Sequence, residues 1–124
     1  MALWAADCAE QVLPLFEGPY PRDRRPRQAI AAARAWVRGE LGVSAARDAA
    51  FAAHAAARLA SSPEAVASAR AAAHAAATVH VAGHAPHAAR YALKACANEP
   101  GRDAESAWQR LRLPVHLRDV IRPA

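Results

Sequence analysis

Alanine crowds this chain so heavily that it limits the fold to one class before any other feature is weighed. About three residues in ten are alanine. Alanine is the best helix former because it loses no side-chain entropy in a helix. The alternating β-branched and aromatic runs that strands need do not occur. The sequence therefore predicts an all-α fold. A core of methyl groups is thin, and it lets helix axes approach toward the short end of the usual ~8–10 Å. Each large apolar side chain then carries a large share of the stability, about 2–5 kcal/mol if truncated.

A length of 124 residues suits a single domain over 1–124 with one core and no staples. The formal charge is +5, from 16 Lys+Arg against 11 Asp+Glu. Lys94 is the only lysine, so the positive charge is almost all arginine. This balance favours acidic partners in general: nucleic acid, acidic protein or phosphorylated ligand. Cys8 and Cys96 lie far apart and read as free thiols of a reducing compartment. No apolar run approaches the ~20 residues that span a membrane, and no secretory signal pattern opens the chain. The expectation is a cytoplasmic protein without membrane contact.

Prolines, glycines and small polar residues divide the chain into a small alanine-rich bundle of five or six helices with short connections. The first helix covers 2–17, with Leu3, Val12, Leu15 and Phe16 as anchors and Trp4 and Cys8 beside them. Pro14 forces a kink or restart there, and Gly18-Pro19-Tyr20-Pro21 breaks the chain. The second begins near Arg25, with Asp23 as cap and Pro26 in its first turn. Ile30, Ala33 and Val37 form its inner stripe, Trp36 borders it, and Gly39 ends it. Ser44 caps a third helix reaching about Ala60, on which Phe51, Ala55 and Leu59 recur every four residues. A fourth starts either from a capping box of Ser61 and Glu64 or from Ser62 ahead of Pro63. From Pro63 to about Ala97 the pattern is helical except at Gly83 and Pro86. Two helices or one kinked helix are expected, disturbed between His80 and Pro86. Asn98-Glu99-Pro100-Gly101 is a stop. A last helix runs from about Asp103 to Arg112 with Trp108 and Leu111 inward, and Leu113-Pro114 leads to a helical turn through Val120.

Five of the six histidines fall in the two central stretches: His54, His74, His80, His84 and His87. On a continuous helix His80, His84, His87 and Tyr91 share a narrow arc, and His74 points elsewhere. The spacing of His80, His84 and His87 suits a divalent transition metal held by imidazole. Zinc proteases carry a glutamate directly after the first histidine; Val81 stands there, which removes that activity. The other readings are a polar ligand pocket, or rings that fill space among alanines and hydrogen-bond to backbone or carboxylates. Asp7 and Glu10 are candidate carboxylates for this face if the first helix packs beside it. The HAAA strings at His54 and His74 form a loose echo. No nucleophile elbow, phosphate-binding glycine loop or cysteine-rich zinc pattern occurs, so catalysis has no positive signature.

Arg22, Arg24, Arg25, Arg27, Arg34 and Arg38 crowd together with Asp23 as the only acid among them. Arginine forks grip phosphate or carboxylate bidentately. Arg24, Arg25, Arg27, Arg34 and Arg38 are thus a candidate surface for an acidic protein or nucleic acid. No helix-turn-helix spacing or interleaved aromatic residues favour nucleic acid. The bland alternative is a solvated, partly ion-paired face.

Several strings, taken in order, span nearly the whole chain. They are Leu3-Trp4-Ala5-Ala6-Asp7-Cys8-Ala9-Glu10; Arg25-Pro26-Arg27 with Ala29-Ile30; and Arg34-Ala35-Trp36 with Arg38-Gly39. Next come His54-Ala55-Ala56-Ala57-Arg58, then His74-Ala75-Ala76-Ala77-Thr78 with His80, His84 and Tyr91. Trp108-Gln109, Leu113-Pro114 and Arg118 close the series. Together they resemble the immunity-five-like group of bacterial immunity proteins. The resemblance implies a small intracellular protein that binds and neutralises a cognate toxin. It makes His54, His74, His80, His84, Asp7, Trp36 and Tyr91 the candidate ligand-binding set, and implies neither a toxin target nor a chemical activity.

Three functions follow. One is stoichiometric, non-catalytic contact with a toxin through an exposed patch with an aromatic centre and charged rim. Another is sequestration of a metal or toxic small molecule in a pocket where His54, His74, His80, His84 and the tryptophans converge. The third is nucleic-acid binding through the Arg22–Arg38 surface.

Overall fold

The computed structural model describes residues 1–79, 83–96 and 99–113. Within them the chain forms α1 (Ala2–Val12), α2 (Pro14–Glu17), α3 (Arg25–Val37), α4 (Val43–Leu59), α5 (Pro63–Ala77), α6 (His84–Ala95) and α7 (Glu99–Arg112). Among the described residues no strand occurs, and no helix is long and apolar enough to cross a membrane. The all-α expectation holds, with α2 as a single turn beside six longer helices.

Local chemistry sets most boundaries. α1 stops before Pro14, and the chain restarts as α2 with that proline in first position. Asp23 serves α3 from just outside it, accepting the Arg25 backbone N–H at 3.1 Å and its guanidinium at 2.9 and 2.7 Å. Gly39 follows α3 with φ +76°, a left-handed conformation that glycine adopts without steric cost. Ser62 caps α5, its hydroxyl accepting the Ala65 N–H at 3.2 Å. Ser61 serves another purpose, donating its N–H to Tyr20 Oη at 2.8 Å.

Two starts differ from expectation. α4 begins at Val43 behind Gly42, so Ser44 lies inside the first turn. α7 begins at Glu99, because Pro100 is tolerated in a first turn, where its missing N–H has no partner to lose. The turn expected through Val120 lies outside the described residues.

α5 occupies the centre and packs on α1, α2, α3, α4 and α6. Its buried residues are alanines and Ser68. Ser68 donates to the Val12 carbonyl at 2.9 Å, which satisfies a buried hydroxyl and ties α5 to α1. α7 is held by Trp4 Nε1 donating to the Gln109 carbonyl at 2.8 Å. Gln109 Nε2 in turn donates to the Ala89 carbonyl at 2.9 Å and to Glu105 Oε1 at 3.1 Å. Burial raises the Glu105 carboxyl above its usual range, against the opposing bond from Gln109. Both cysteines are free thiols, and burial raises both.

The large apolar residues are distributed differently from what their spacing suggests. Trp4, Val12, Phe16, Ile30 and Leu113 are buried. Leu3, Leu15 and Val37 are exposed, and Phe51, Leu59 and Leu111 are 62%, 74% and 71% exposed. α4 shows why. It turns Ala46, Ala50, Ala53, Ala56 and Ala57 inward, against an α5 that is itself lined with alanine. Along that stretch the two helices meet through methyl groups, and Phe51 and Leu59 take the opposite face of α4.

Candidate functional site

The histidines meet across three helices. α5 ends at Ala77, and α6 starts at His84 and packs along α5. Two helices therefore stand where one rod was the alternative, and this moves His74 from outlier to hub. Its ring centroid lies 5.2 Å from that of His54, 5.1 Å from His84, 5.3 Å from His87 and 5.2 Å from Tyr91. His54 meets it edge-on at 86°, and Tyr91 stacks at 10°. His54 comes from α4, so the HAAA echo marks two helix faces that touch. Lys94 Nζ lies 5.0 Å from the Tyr91 ring centre, a cation–π contact. His80 and Val81 lie outside the described residues.

Hydrogen bonds assign protons in this cluster. Arg70 donates to His54 Nδ1 at 2.5 Å. The accepting nitrogen carries the lone pair, so His54 keeps its proton on Nε2 and is neutral. His74 Nδ1 and His84 Nδ1 are 2.9 Å apart, so one donates and the other accepts. Burial lowers His54 to about 4, reinforced by repulsion from Arg70, Arg58 and His84. Burial lowers His74 to about 4 as well, reinforced by His54, His84, His87 and Arg70. Neutral imidazole is also the metal-binding form. Among the described residues, no group of three or more His, Cys, Asp or Glu side chains is placed to hold a metal ion. Of the expected metal set, His84 and His87 stand with ring centres 6.0 Å apart. A hollow of about 400 Å³ adjoins the cluster, lined by Tyr91, Lys94, Val66 and Ser61 among others.

Asp7 and Trp36 lie elsewhere. They line a hollow of about 310 Å³ with Trp4, Leu3, Val37 and Arg112. Asp7 accepts from Arg34 at 2.9 Å and from Arg112 at 3.4 Å. Glu10 accepts from Arg34 at 2.8 and 3.2 Å, which holds its carboxyl below the usual range. Both carboxylates thus serve arginine rather than the histidine face. α1 presents its alanines and Cys8 to the core, so Asp7 and Glu10 fall on the side toward α3. The expected single pocket of histidines and tryptophans is divided between two places.

The arginine segment is engaged in the same way. Arg25 holds Asp23 at 2.7 Å, Arg27 holds Glu17 at 2.6 Å, and Arg38 holds Glu40 at 3.0 Å. Arg24 is exposed at the start of α3. The sequence profile of the Imm-5 like putative immunity protein family matches residues 1–116. The chain belongs to this family. Neither a curated protein nor a solved structure matches it. The family's span takes in every described helix, hence both the ring cluster and the Asp7–Trp36 hollow.

Arg70 is the neighbour that spacing alone does not single out. It precedes His74 by one turn and so shares its face, but only the packing of α4 on α5 brings it to His54. The Glu105–Gln109 pair has a similarly faint signal: two polar residues four apart on the face of α7 that meets α6 and Trp4.

Proposed function

We propose that this member of the immunity family neutralises a toxic partner by stoichiometric, non-catalytic contact. The family match over residues 1–116 carries the reading. The cluster chemistry agrees with it. His54, His74, His84 and Tyr91 are engaged with one another or with Arg70, which braces α4 against α5 and α6. A braced surface loses less conformational freedom on binding. Nucleic acid fits less well, because Arg25, Arg27, Arg34 and Arg38 already hold this chain's own carboxylates. The test is co-expression with candidate toxic domains drawn from the gene's neighbourhood. Growth is expected to return, and the two chains are expected to co-purify. Absence of rescue overturns the proposal, as does rescue without a complex.

A second reading, sequestration of a metal or a toxic small molecule, rests on His74 and His84. Nitrogens 2.9 Å apart fit neighbouring corners around one ion at bond lengths of ~2.0–2.1 Å. That right-angled arrangement suits Cu(II) or Ni(II). His80 and His87 are the remaining donors of the expected set, and the hollow beside Tyr91 has room for a small ligand. Calorimetric titration with Cu(II) and Ni(II) is expected to show uptake that His74→Ala/His84→Ala abolishes. Equal uptake by that variant discards the reading.

A further inference from the structure

We infer that the outer face of α4 is where the toxic partner docks, and that the partner presents an acidic amphipathic helix to it. The inference rests on the toxin-neutralising reading and names the surface which that reading leaves open.

The alanines of α4 place one side of the helix on the core. At ~100° per residue the opposite side carries Arg47, Phe51, Ala55, Arg58 and Leu59. Phe51 and Leu59 are mostly exposed, and Val43 is exposed at the head of the same row. Positions 43, 47, 51, 55 and 59 form one ridge of four-residue spacing, about 24 Å long. Ridges of this spacing seat in the groove of another helix. Single exposed leucines are ordinary; a phenylalanine and a leucine on one ridge, opposite the core, form a row.

Charge selects what covers the row. Arg25, Arg27, Arg34 and Arg38 all hold carboxylates of this chain, whereas no ion pair among the described residues reaches Arg47 or Arg58. Asp48 is the only acid on α4. Two unpaired guanidinium groups, Arg47 within the ridge and Arg58 beside it, call for carboxylates flanking apolar side chains. A second copy of this chain would set arginine against arginine, which is unfavourable. The chain's net charge of +5 favours encounter with an acidic surface as well.

The test uses labelled helical peptides of about three heptads with leucines along one face. One carries glutamates on both flanks, and a control carries lysines there. Each is titrated into the full-length protein by fluorescence anisotropy. The glutamate peptide is expected to bind and the lysine peptide not to. Phe51→Asp and Arg47→Glu/Arg58→Glu are each expected to weaken binding at least about tenfold, with unchanged helix content because all three positions are exposed. Equal binding of both peptides overturns the inference, as does binding that neither variant alters. Wild-type protein sedimenting as a dimer that Phe51→Asp dissociates also overturns it, by assigning the face to a second copy. Growth rescue separates the two levels. Failure of the wild type to rescue refutes the immunity reading, whereas rescue that survives both variants refutes this surface alone.

Discussion

The ring cluster of α4, α5 and α6 and the arginine lattice of α1, α3 and α7 solve one problem with opposite chemistry. Apart from α7, both join helices whose facing surfaces are mostly alanine and supply little apolar area. The cluster does so with flat, half-buried rings, of which His54 and His74 are held neutral by burial. The lattice does so with charges near the surface, Arg34 bridging Asp7 and Glu10, and Arg112 reaching Asp7. The difference teaches where each is weak: protonation threatens the rings, and salt threatens the lattice.

Acid is expected to produce the largest separation between them. His54 and His74 titrate at about 4 in the folded chain, against the ordinary 6.5. Between these values the two rings bind more protons in the unfolded chain, so their contribution to stability falls as pH drops from about 6.5 toward 4 and levels off below that. The slope is at most about 1.4 kcal/mol per pH unit for each ring. Glu10, Glu17 and Asp23 behave oppositely: their arginine bonds lower them, so their contribution stays intact until the pH falls into the carboxylate range. Urea midpoints measured at intervals from pH 7 to 4 check this, and a flat profile above pH 4.5 would break the comparison.

The hub ring comes next. His74→Ala is expected to lose about 2–3 kcal/mol at pH 7, by leaving a gap among four rings. His74→Phe keeps the ring volume and removes the titration, so its acid profile should be shallower than wild type while its stability at pH 7 falls less than that of the alanine variant.

On the lattice side the effects are smaller. Arg34→Ala releases two carboxylates at a half-buried position and is expected to cost about 1 kcal/mol. In 1 M salt that difference should shrink, since screening acts over ~3 Å there, while the cost of His74→Ala should not. Arg38→Ala separates an exposed pair and is expected to stay within about 0.5 kcal/mol of wild type. A cost for Arg38→Ala equal to that of Arg34→Ala would show that burial does not set the strength of these pairs.

Punctuation was the readable part of the fold. Pro14, Gly39 and Ser62 act through backbone rules that need no partner, and the break before α6 was signalled by Gly83 and Pro86. The inward faces were harder to read. Leu3, Val37, Phe51 and Leu111 look like anchors by spacing, yet in a bundle this rich in alanine the smallest residues define the buried face. The site was legible as a set of residues but not as a shape. His74 departs from the arc of His84, His87 and Tyr91 on one rod, and only the packing of α6 along α5 brings it into their midst. Asp7 and Glu10 find Arg34 from 27 and 24 residues away, a pairing that no local pattern encodes.

Protection by contact and protection by turnover differ most plainly in stoichiometry. Purified toxic domain titrated with this protein should lose its activity completely at one equivalent, and the same mixture should give a one-to-one complex by native mass spectrometry. Full protection at a small fraction of an equivalent, with no complex formed, would contradict the account.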